Sequence, residues 1–179
     1  MHDPDLPSDW VRRWAELVAR GPVLDVACGG GRHAMLFLEK GIPVVAVDRA
    51  PQAIAGAQFV QADLEGAPWP FAGRRFAAIV VTNYLHRPLL PVLAESLEEG
   101  GVLIYETFMA GNERFGRPSN PAFLLRPGEL LGAFAALTPI AFEQGCVARP
   151  KPAMVQRLCA RKGSLGEVRI AQRSEEVAP

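Results

Sequence analysis

The sequence predicts an α/β fold built on a doubly wound, mainly parallel sheet. Three observations support this prediction: short apolar runs alternate with helical patterns, a glycine-rich loop follows the first strand-like run, and several such runs end on a polar residue. Alternating strands and helices form βαβ units, which favour a parallel sheet covered by helices on both faces.

The first predicted elements are a helix, a strand, a tight turn and a second helix. The opening helix begins at about Asp9, where Ser8 or Asp9 can cap it, and ends at Gly21. PVLDVA (22–27) is continuously apolar apart from one acid, which is typical of a buried strand. The loop CGGG then leads into a helix that Gly41 ends.

The next three strands are predicted from IPVVAVD (42–48), AQFVQAD (57–63) and RFAAIVVTN (75–83). Each is mainly apolar and ends on a polar residue, so these polar ends should meet along one edge of the sheet. The link between the second and third strands, RAPQAIAG, has room for one or two helical turns at most.

The remaining elements complete a Rossmann-like sheet of seven strands. RPLLPVLAESLEEGG (87–101) predicts a helix with Leu97 on its inner face, and GVLIYETF (101–108) predicts the fifth strand. A last helix begins at Pro127, and TPIAFEQG and AMVQRLCARK form a closing pair that supplies an antiparallel strand. We expect one domain over residues 1–162 and a loosely held tail over residues 163–179, in which VRI could add a short strand.

The composition and charge of the chain disfavour several classes of partner and site. Lys plus Arg and Asp plus Glu both total 19, so no net positive field attracts nucleic acid. The polar amino terminus and the lack of a long apolar run predict a cytoplasmic protein with no membrane partner. Three widely spaced cysteines, without a CxxC pair, predict neither a disulfide framework nor a metal site.

VLDVACGGGRH (23–33) is the strongest local signal. Gly29 and Gly31 permit positive φ and close approach of a ligand, and the free amides at the helix start favour a carboxylate or phosphate. Asp25 lies inside this motif, where it would oppose a pyrophosphate and attract an ammonium group. The motif therefore predicts a ligand with an amino acid moiety.

Two further acids end the predicted second and third strands, with Asp48 23 residues after Asp25 and Asp63 15 residues after Asp48. A carboxylate at the end of the second strand can accept hydrogen bonds from both hydroxyls of a ribose. One at the end of the third can accept a hydrogen bond from the amino group of adenine. In this order, the three acids predict an adenosyl amino acid as ligand.

These motifs resemble those of the class I S-adenosylmethionine-dependent methyltransferases, from about Val23 to the closing strand pair. VLDVACGGGRH is similar to the first motif of that family, with Ala27 where the family more often has glycine. TNYLHRPLL and YETFMAGNERFG are similar to small bacterial enzymes of the tellurite-resistance type. The resemblance implies S-adenosylmethionine as cofactor.

The resemblance also implies roles for individual residues. Asp25 would reach the methionine amine, Asp48 would hold the ribose, and Asp63 with the Leu64 amide would meet the adenine. The full predicted cofactor-binding set is Asp25, Ala27, Gly29, Gly31, Asp48, Arg49, Asp63, Leu64 and Asn83.

Methyl transfer requires few catalytic side chains, because the protein mainly aligns the acceptor and removes a proton where the acceptor carries one. Tyr84 and His86, after the fourth strand, are candidates, although a lone histidine at a loop start is also typical of a surface or capping residue. Residues 109–126 show no periodicity, and we predict a mobile lid there in which Arg114 clamps an anionic acceptor and Phe115 and Phe123 pack.

Two alternatives stay open at this point: a nicotinamide-dependent oxidoreductase and a catalytically silent S-adenosylmethionine-binding module. The oxidoreductase would share the fold and Asp48, but Asp25 within the loop and the lack of a second domain count against it. Balanced charge favours a small-molecule acceptor over nucleic acid. TNYLHR also lacks the Asn-Pro-Pro-aromatic run expected for methylation of amino groups on bases or glutamine.

Overall fold

The computed structural model describes residues 6–166, which form one seven-stranded sheet with helices packed against it. The strands are β1 (Val23–Val26), β2 (Val44–Asp48), β3 (Gln58–Gln61), β4 (Phe76–Thr82), β5 (Leu97–Phe108), β6 (Thr138–Val147) and β7 (Ala153–Arg161). Their order is β3-β2-β1-β4-β5-β7-β6. β1 to β5 pair in parallel, while β7 pairs antiparallel with both β5 and β6. The predicted fold class is confirmed.

The helices are α1 (Asp9–Trp14), α2 (Arg32–Glu39), α3 (Leu89–Glu95) and α4 (Glu129–Ala133). The predicted cap of α1 is confirmed, because the Ser8 hydroxyl accepts from the backbone N–H groups of Trp10 and Val11. Residues 49–57, all of which the structure describes, form no helix. This agrees with the prediction that the link has room for one or two helical turns at most. No helix within residues 6–166 is long and apolar enough to cross a membrane.

One prediction about α3 is wrong. Leu97 was expected on the inner face of the helix, but α3 ends at Glu95 and Leu97 begins β5, where it pairs with Phe76. The backbone explains the difference, because the Phe76 N–H donates to the Ser96 carbonyl at 2.9 Å and draws this stretch into the sheet. A buried leucine fits either element, so its apolar character did not distinguish them.

The last helix is also shorter than predicted. Pro127 was expected to start it, but α4 begins at Glu129 because Gly128 adopts a left-handed conformation at the cap. Of the predicted tail, residues 163–166 are described, and there the Gly163 carbonyl accepts from the Thr138 hydroxyl at 2.7 Å. The predicted VRI strand lies outside the described residues.

The core lies on both faces of the sheet because successive strand residues point to opposite sides. Leu24, Ile79 and Leu103 contribute to the cluster on one face. Their sequence neighbours Val23 and Val80 contribute to the cluster on the other, against α1 and α2. β1, β2 and β4 are buried up to their last one or two residues, whereas β3 lies at the edge of the sheet and is partly exposed. Because these four strands are parallel, the loops at their carboxyl ends lie along one edge.

Candidate cofactor and active site

An open cleft of about 330 Å³ lies at the carboxyl ends of β1 to β4. Ligand sites generally measure roughly 300–1,000 Å³, so the cleft is large enough for a small molecule. Its lining combines strand-end acids with apolar and aromatic side chains, namely Ala27, Asp48, Arg49, Ala62, Asp63, Leu64, Glu65, Tyr84 and Phe123. Five residues of the predicted cofactor set are among them.

The glycine loop between β1 and α2 adopts the predicted positive φ values, +51° at Gly29 and +80° at Gly31. Ala27 also lies in the left-handed region, at φ +52°, where an L side chain costs about 1–2 kcal/mol. The two glycines serve different purposes. A Cβ on Gly31 would lie 2.5 Å from Ile54 Cδ1, whereas a Cβ on Gly29 would meet nothing within 4 Å. Gly31 is therefore required by packing, and Gly29 faces open space.

Asp48, the last residue of β2, organises this loop. Its Oδ2 accepts from the Gly29 N–H and its Oδ1 from the Ala50 N–H, both at 2.9 Å. Each carboxylate oxygen has further acceptor capacity beyond one hydrogen bond. Asp48 can therefore accept hydrogen bonds from hydroxyl groups of a ligand while it holds the loop.

Asp63 has a comparable position after β3. Its Oδ1 accepts from the Glu65 N–H at 3.0 Å, which turns the chain and brings Leu64 and Glu65 to the cleft. Gly66 allows this turn, since a Cβ there would lie 2.6 Å from Asp63 Oδ2. The exposed carboxylate of Asp63 and the buried Leu64 thus form the wall of the cleft at the β3 end.

Asp25 lies beneath the loop. Its carboxyl group is buried, and its Oδ2 accepts from the Ala34 N–H at 3.0 Å in the first turn of α2. Burial raises the pKa of Asp25 to about 8, against an opposing effect of the Ala34 hydrogen bond. Asp25 thus joins β1 to α2, and its predicted contact with a methionine amine is taken up as a proposal below.

The predicted catalytic residues lie in different places. Tyr84 lines the cleft, and its buried hydroxyl lies beside the Glu65 carboxylate. Burial and the nearby Glu65 carboxylate raise its pKa above the ordinary value. Half-buried His86 and exposed Arg114 do not line this cleft. Arg114 instead stacks on Phe115, with its Cζ 4.8 Å from the ring centroid.

Asn83 directly follows β4 and has a left-handed backbone conformation, with φ +53°. The Tyr84 carbonyl then accepts from the Tyr105 hydroxyl at 2.9 Å. Asn83 itself is exposed and does not line the cleft. Its predicted contact with the cofactor stays a prediction.

Sequence reasoning missed three residues that shape the cleft: Glu65, Phe123 and Arg87. Glu65 follows a strand-end acid by two positions, which is a weak signal. Phe123 was predicted only as lid packing, yet it lines the cleft with its side chain 48% exposed. Arg87, which pairs with Glu129, holds the chain on both sides of Phe123.

His33, at the start of α2, ties the amino-terminal segment to the sheet. Its Nε2 accepts from the Ser8 N–H at 3.2 Å, so the hydrogen lies on Nδ1, which faces the Thr82 hydroxyl at 3.3 Å. Burial lowers the pKa of His33 to about 3. The ring is therefore neutral in the folded protein at physiological pH.

His33→Gln should flatten the loss of stability on acidification. The unfolded chain takes up a proton on His33 below its ordinary pKa of 6.5, whereas the folded protein does not until about pH 3. Between these values the unfolded state binds more protons, so stability falls as pH falls, by up to about 1.4 kcal/mol per pH unit. Urea unfolding at pH 7, 6, 5 and 4 measures this slope.

Thr82→Val is the matched control for this experiment, because it removes the hydroxyl beside Nδ1 and keeps the imidazole. It should lower stability at every pH without changing the slope. Parallel stability curves for the wild-type protein and His33→Gln would contradict the assignment.

Comparison with known proteins gives one family match and several matches to solved structures. Residues 23–101, from β1 to the start of β5, match the family model described as "Methyltransferase domain". No curated protein matches the sequence.

Solved structures share the fold at low sequence identity. TehB from Haemophilus influenzae has a TM-score of 0.72 and 15% identity over 88% of this chain and 63% of that chain, so this chain spans less than two thirds of it. NodS, an N-methyltransferase from Bradyrhizobium japonicum in complex with S-adenosylhomocysteine, has a TM-score of 0.63 and 15% identity over 86% of each chain.

A third structure is the 1,6-didemethyltoxoflavin-N1-methyltransferase from Burkholderia thailandensis, with bound 1,6-didemethyltoxoflavin and S-adenosylhomocysteine. It has a TM-score of 0.60 and 21% identity over 87% of this chain and 76% of that chain. The likeness to TehB is one of fold, and none of these comparisons supports the oxidoreductase alternative. The family match thus covers residues 23–101, and the solved structures share the fold of this chain.

Proposed function

We propose that this protein transfers a methyl group from S-adenosylmethionine to a small-molecule acceptor. The observation that carries the proposal is the cleft at the strand ends, where two acids flank an apolar surface. Asp48 and Asp63 supply acceptors for ribose hydroxyls and an adenine amino group. Ala27, Ala62 and Leu64 supply the apolar surface against which a purine can pack.

The residues around the cleft fit the remaining parts of the cofactor. The open space beside Gly29 can admit the amino acid moiety, next to the start of α2. Asp25 lies beneath the loop as a buried acid with a raised pKa, and an approaching ammonium group would favour its ionised form. Tyr84 lines the same cleft with its hydroxyl beside Glu65, so its ring can contact a ligand.

Bound S-adenosylmethionine supplies an activated methyl carbon. The chain therefore has to bind the cofactor, orient the acceptor and exclude water. The proposed acceptor-side residues are His86 and Arg114, which lies in the predicted lid between its anchored ends at Met109 and residues 121–125. His86 is half-buried two residues after Tyr84, and Arg114 is exposed in the segment that follows β5. His86 can remove a proton from the acceptor, and Arg114 can bind an anionic one.

A small acceptor and a cytoplasmic location complete the proposal. The Burkholderia relative was crystallised with the small molecule 1,6-didemethyltoxoflavin. The present chain carries 19 basic and 19 acidic residues, a balance that does not favour a nucleic acid. Cys28, Cys146 and Cys159 are free thiols, as is usual in a reducing compartment. Cell fractionation tests the location, which recovery outside the cytoplasm would refute.

Asp48→Asn should weaken binding of S-adenosylhomocysteine, measured by isothermal titration calorimetry. The amide replaces a charged acceptor by a neutral one at the proposed ribose position, which should cost about 1–3 kcal/mol, or roughly 5- to 150-fold in Kd. Asp9→Asn is the control, since Asp9 is a surface acid that pairs only with Arg12 among the described residues. Unchanged affinity of Asp48→Asn would refute the ribose assignment.

The wild-type protein distinguishes the alternatives in the same experiment. Binding of S-adenosylhomocysteine without binding of NADH supports the methyltransferase, and the reverse would overturn it. Transfer of a labelled methyl group to any acceptor excludes a catalytically silent module.

A further inference from the structure

The segment that follows β5 brings one aromatic side chain to the cofactor cleft. Phe123 lines the cleft together with Leu64 and Tyr84, yet 48% of its side chain is exposed. Its neighbour Leu124 is buried, and so is Leu125. A large apolar ring at the mouth of a cleft, next to buried neighbours, has surface available that a ligand can cover.

The backbone on both sides of Phe123 is fixed by one guanidinium group. Arg87 Nη1 donates to the Ala122 carbonyl at 2.8 Å, and Nη2 donates to the Leu124 carbonyl at 2.9 Å. Its planar, fork-shaped group can make several such bonds at once, which a lysine cannot reproduce. The position of Phe123 is therefore set by Arg87.

Arg87 is held in turn by Glu129 at the start of α4. Nε donates to Glu129 Oε1 at 2.6 Å and Nη2 to Oε2 at 3.0 Å. Glu129 Oε2 also accepts from the Arg126 N–H at 2.7 Å, which closes the end of the segment. Arg87 thus joins the loop after β4 to residues 122–129 through the backbone and a salt bridge.

The same loop after β4 carries the other aromatic wall. Tyr84 precedes Arg87 by three residues, and its carbonyl is fixed by the Tyr105 hydroxyl. Tyr84 and Phe123 therefore line the cleft from two segments that Arg87 joins, with Asp48 and Asp63 among the same lining residues. Because these acids are the proposed partners of ribose and adenine, Phe123 belongs to the adenosyl part of the site.

We propose that Phe123 packs on the adenosyl group of the bound cofactor, and that Arg87 is the positioning residue that holds it there. This inference rests on the proposed function. It divides the predicted lid: residues 121–125 serve the cofactor, whereas Arg114 points its guanidinium group to Phe115 and Met154 Sδ outside the cleft. Aromatic packing on a purine needs no hydrogen bond and tolerates small changes of orientation.

Phe123→Ala should raise the Kd for S-adenosylhomocysteine by roughly 5- to 100-fold, as expected for the loss of an aromatic ring that packs on a base. Phe115→Ala is the matched control, because Phe115 is a similarly exposed phenylalanine of the same segment that does not line the cleft. It should change the Kd by less than about twofold. Phe123→Leu, which keeps an apolar side chain, should fall between the two.

Arg87→Lys tests the positioning role, since it keeps the charge and loses the fork. It should raise the Kd for S-adenosylhomocysteine, and the double variant with Phe123→Ala should bind no more weakly than Phe123→Ala alone. A merely structural role of Arg87 would instead give additive losses. Circular dichroism and thermal unfolding of each variant establish that the compared proteins are folded.

The outcomes separate this inference from the proposed function. Absence of S-adenosylhomocysteine binding by the wild-type protein would refute the proposed function. If Asp48→Asn weakens binding while Phe123→Ala and Phe115→Ala both bind like the wild type, the proposed function stands and the role of Phe123 is overturned. If Phe123→Ala binds S-adenosylhomocysteine weakly, and the double variant binds more weakly by the full loss measured for Arg87→Lys alone, only the role of Arg87 is overturned.

Discussion

Gly29→Val is expected to abolish S-adenosylhomocysteine binding in a folded protein, whereas Gly31→Val is expected to destabilise the fold itself. The two glycines are two residues apart and both have positive φ. A Cβ on Gly29 meets no protein atom within 4 Å, so the branched side chain would occupy the space that we assign to the ligand. A Cβ on Gly31 lies 2.5 Å from Ile54 Cδ1 and 2.7 Å from Ile54 Cγ1, so that buried side chain would have to move.

The two variants are expected to lose different amounts of unfolding free energy. Both variants bear the cost of a left-handed L residue, about 1–2 kcal/mol. Gly31→Val adds roughly 1–3 kcal/mol for overpacking against Ile54, measured as the free energy of unfolding in urea. Gly31→Ala should show a smaller loss in the same direction.

Calorimetry with S-adenosylhomocysteine completes the comparison for Gly29→Val. A folded Gly29→Val protein that binds normally would show that the loop is not the cofactor seat. Equal stability of Gly31→Val and Gly29→Val would contradict the packing role of Gly31.

Asp25→Asn is expected to remove a large pH dependence of stability. In the unfolded chain Asp25 loses its proton near its ordinary pKa of 3.8, whereas in the folded protein burial keeps the proton until about pH 8. Between these values the folded state binds more protons, so the contribution of Asp25 to stability falls as pH rises. The slope is up to about 1.4 kcal/mol per pH unit.

Asparagine does not titrate, so the difference in unfolding free energy between Asp25→Asn and the wild-type protein should change steadily from pH 4 to pH 8. Taking this difference cancels the contribution of His33, which has the opposite sign. The hydrogen bond to the Ala34 N–H can be kept by the amide oxygen, so the fold is expected to survive. Curves that run parallel over this range would contradict a buried, protonated Asp25.

Much of the proposed cofactor cleft could be predicted from sequence because its signals are local. The position of Asp48 at the end of an apolar run predicted a strand-end acid, and it is the last residue of β2. Parallel strands present their carboxyl ends at one edge, so the order of Asp48 and Asp63 along the chain also predicted that they line one cleft. The spacing of Gly29 and Gly31 predicted a loop with positive φ before α2.

Local patterns failed where two structures suit the same residue. Leu97 is apolar and buried whether it continues α3 or starts β5, and only its pairing with Phe76 decides for the strand. Similarly, Tyr84 and His86 are both polar residues of the loop after β4. Tyr84 lines the cleft and His86 does not, and their residue types alone do not distinguish these positions.

The sequence by itself determined the fold class, the glycine loop and the acids of the proposed cofactor cleft, because backbone conformation and strand-end position are encoded within a few residues. Only the tertiary structure decided that Phe123 lines that cleft and that Arg87 holds it. These two residues are 36 positions apart. Their relation arises because the sheet places β4 beside β5, so that the loop after one strand meets the segment after the other. Hydrogen bonds from a guanidinium group to backbone carbonyls have no pattern in the residues that supply the carbonyls, so no local signal could have predicted them.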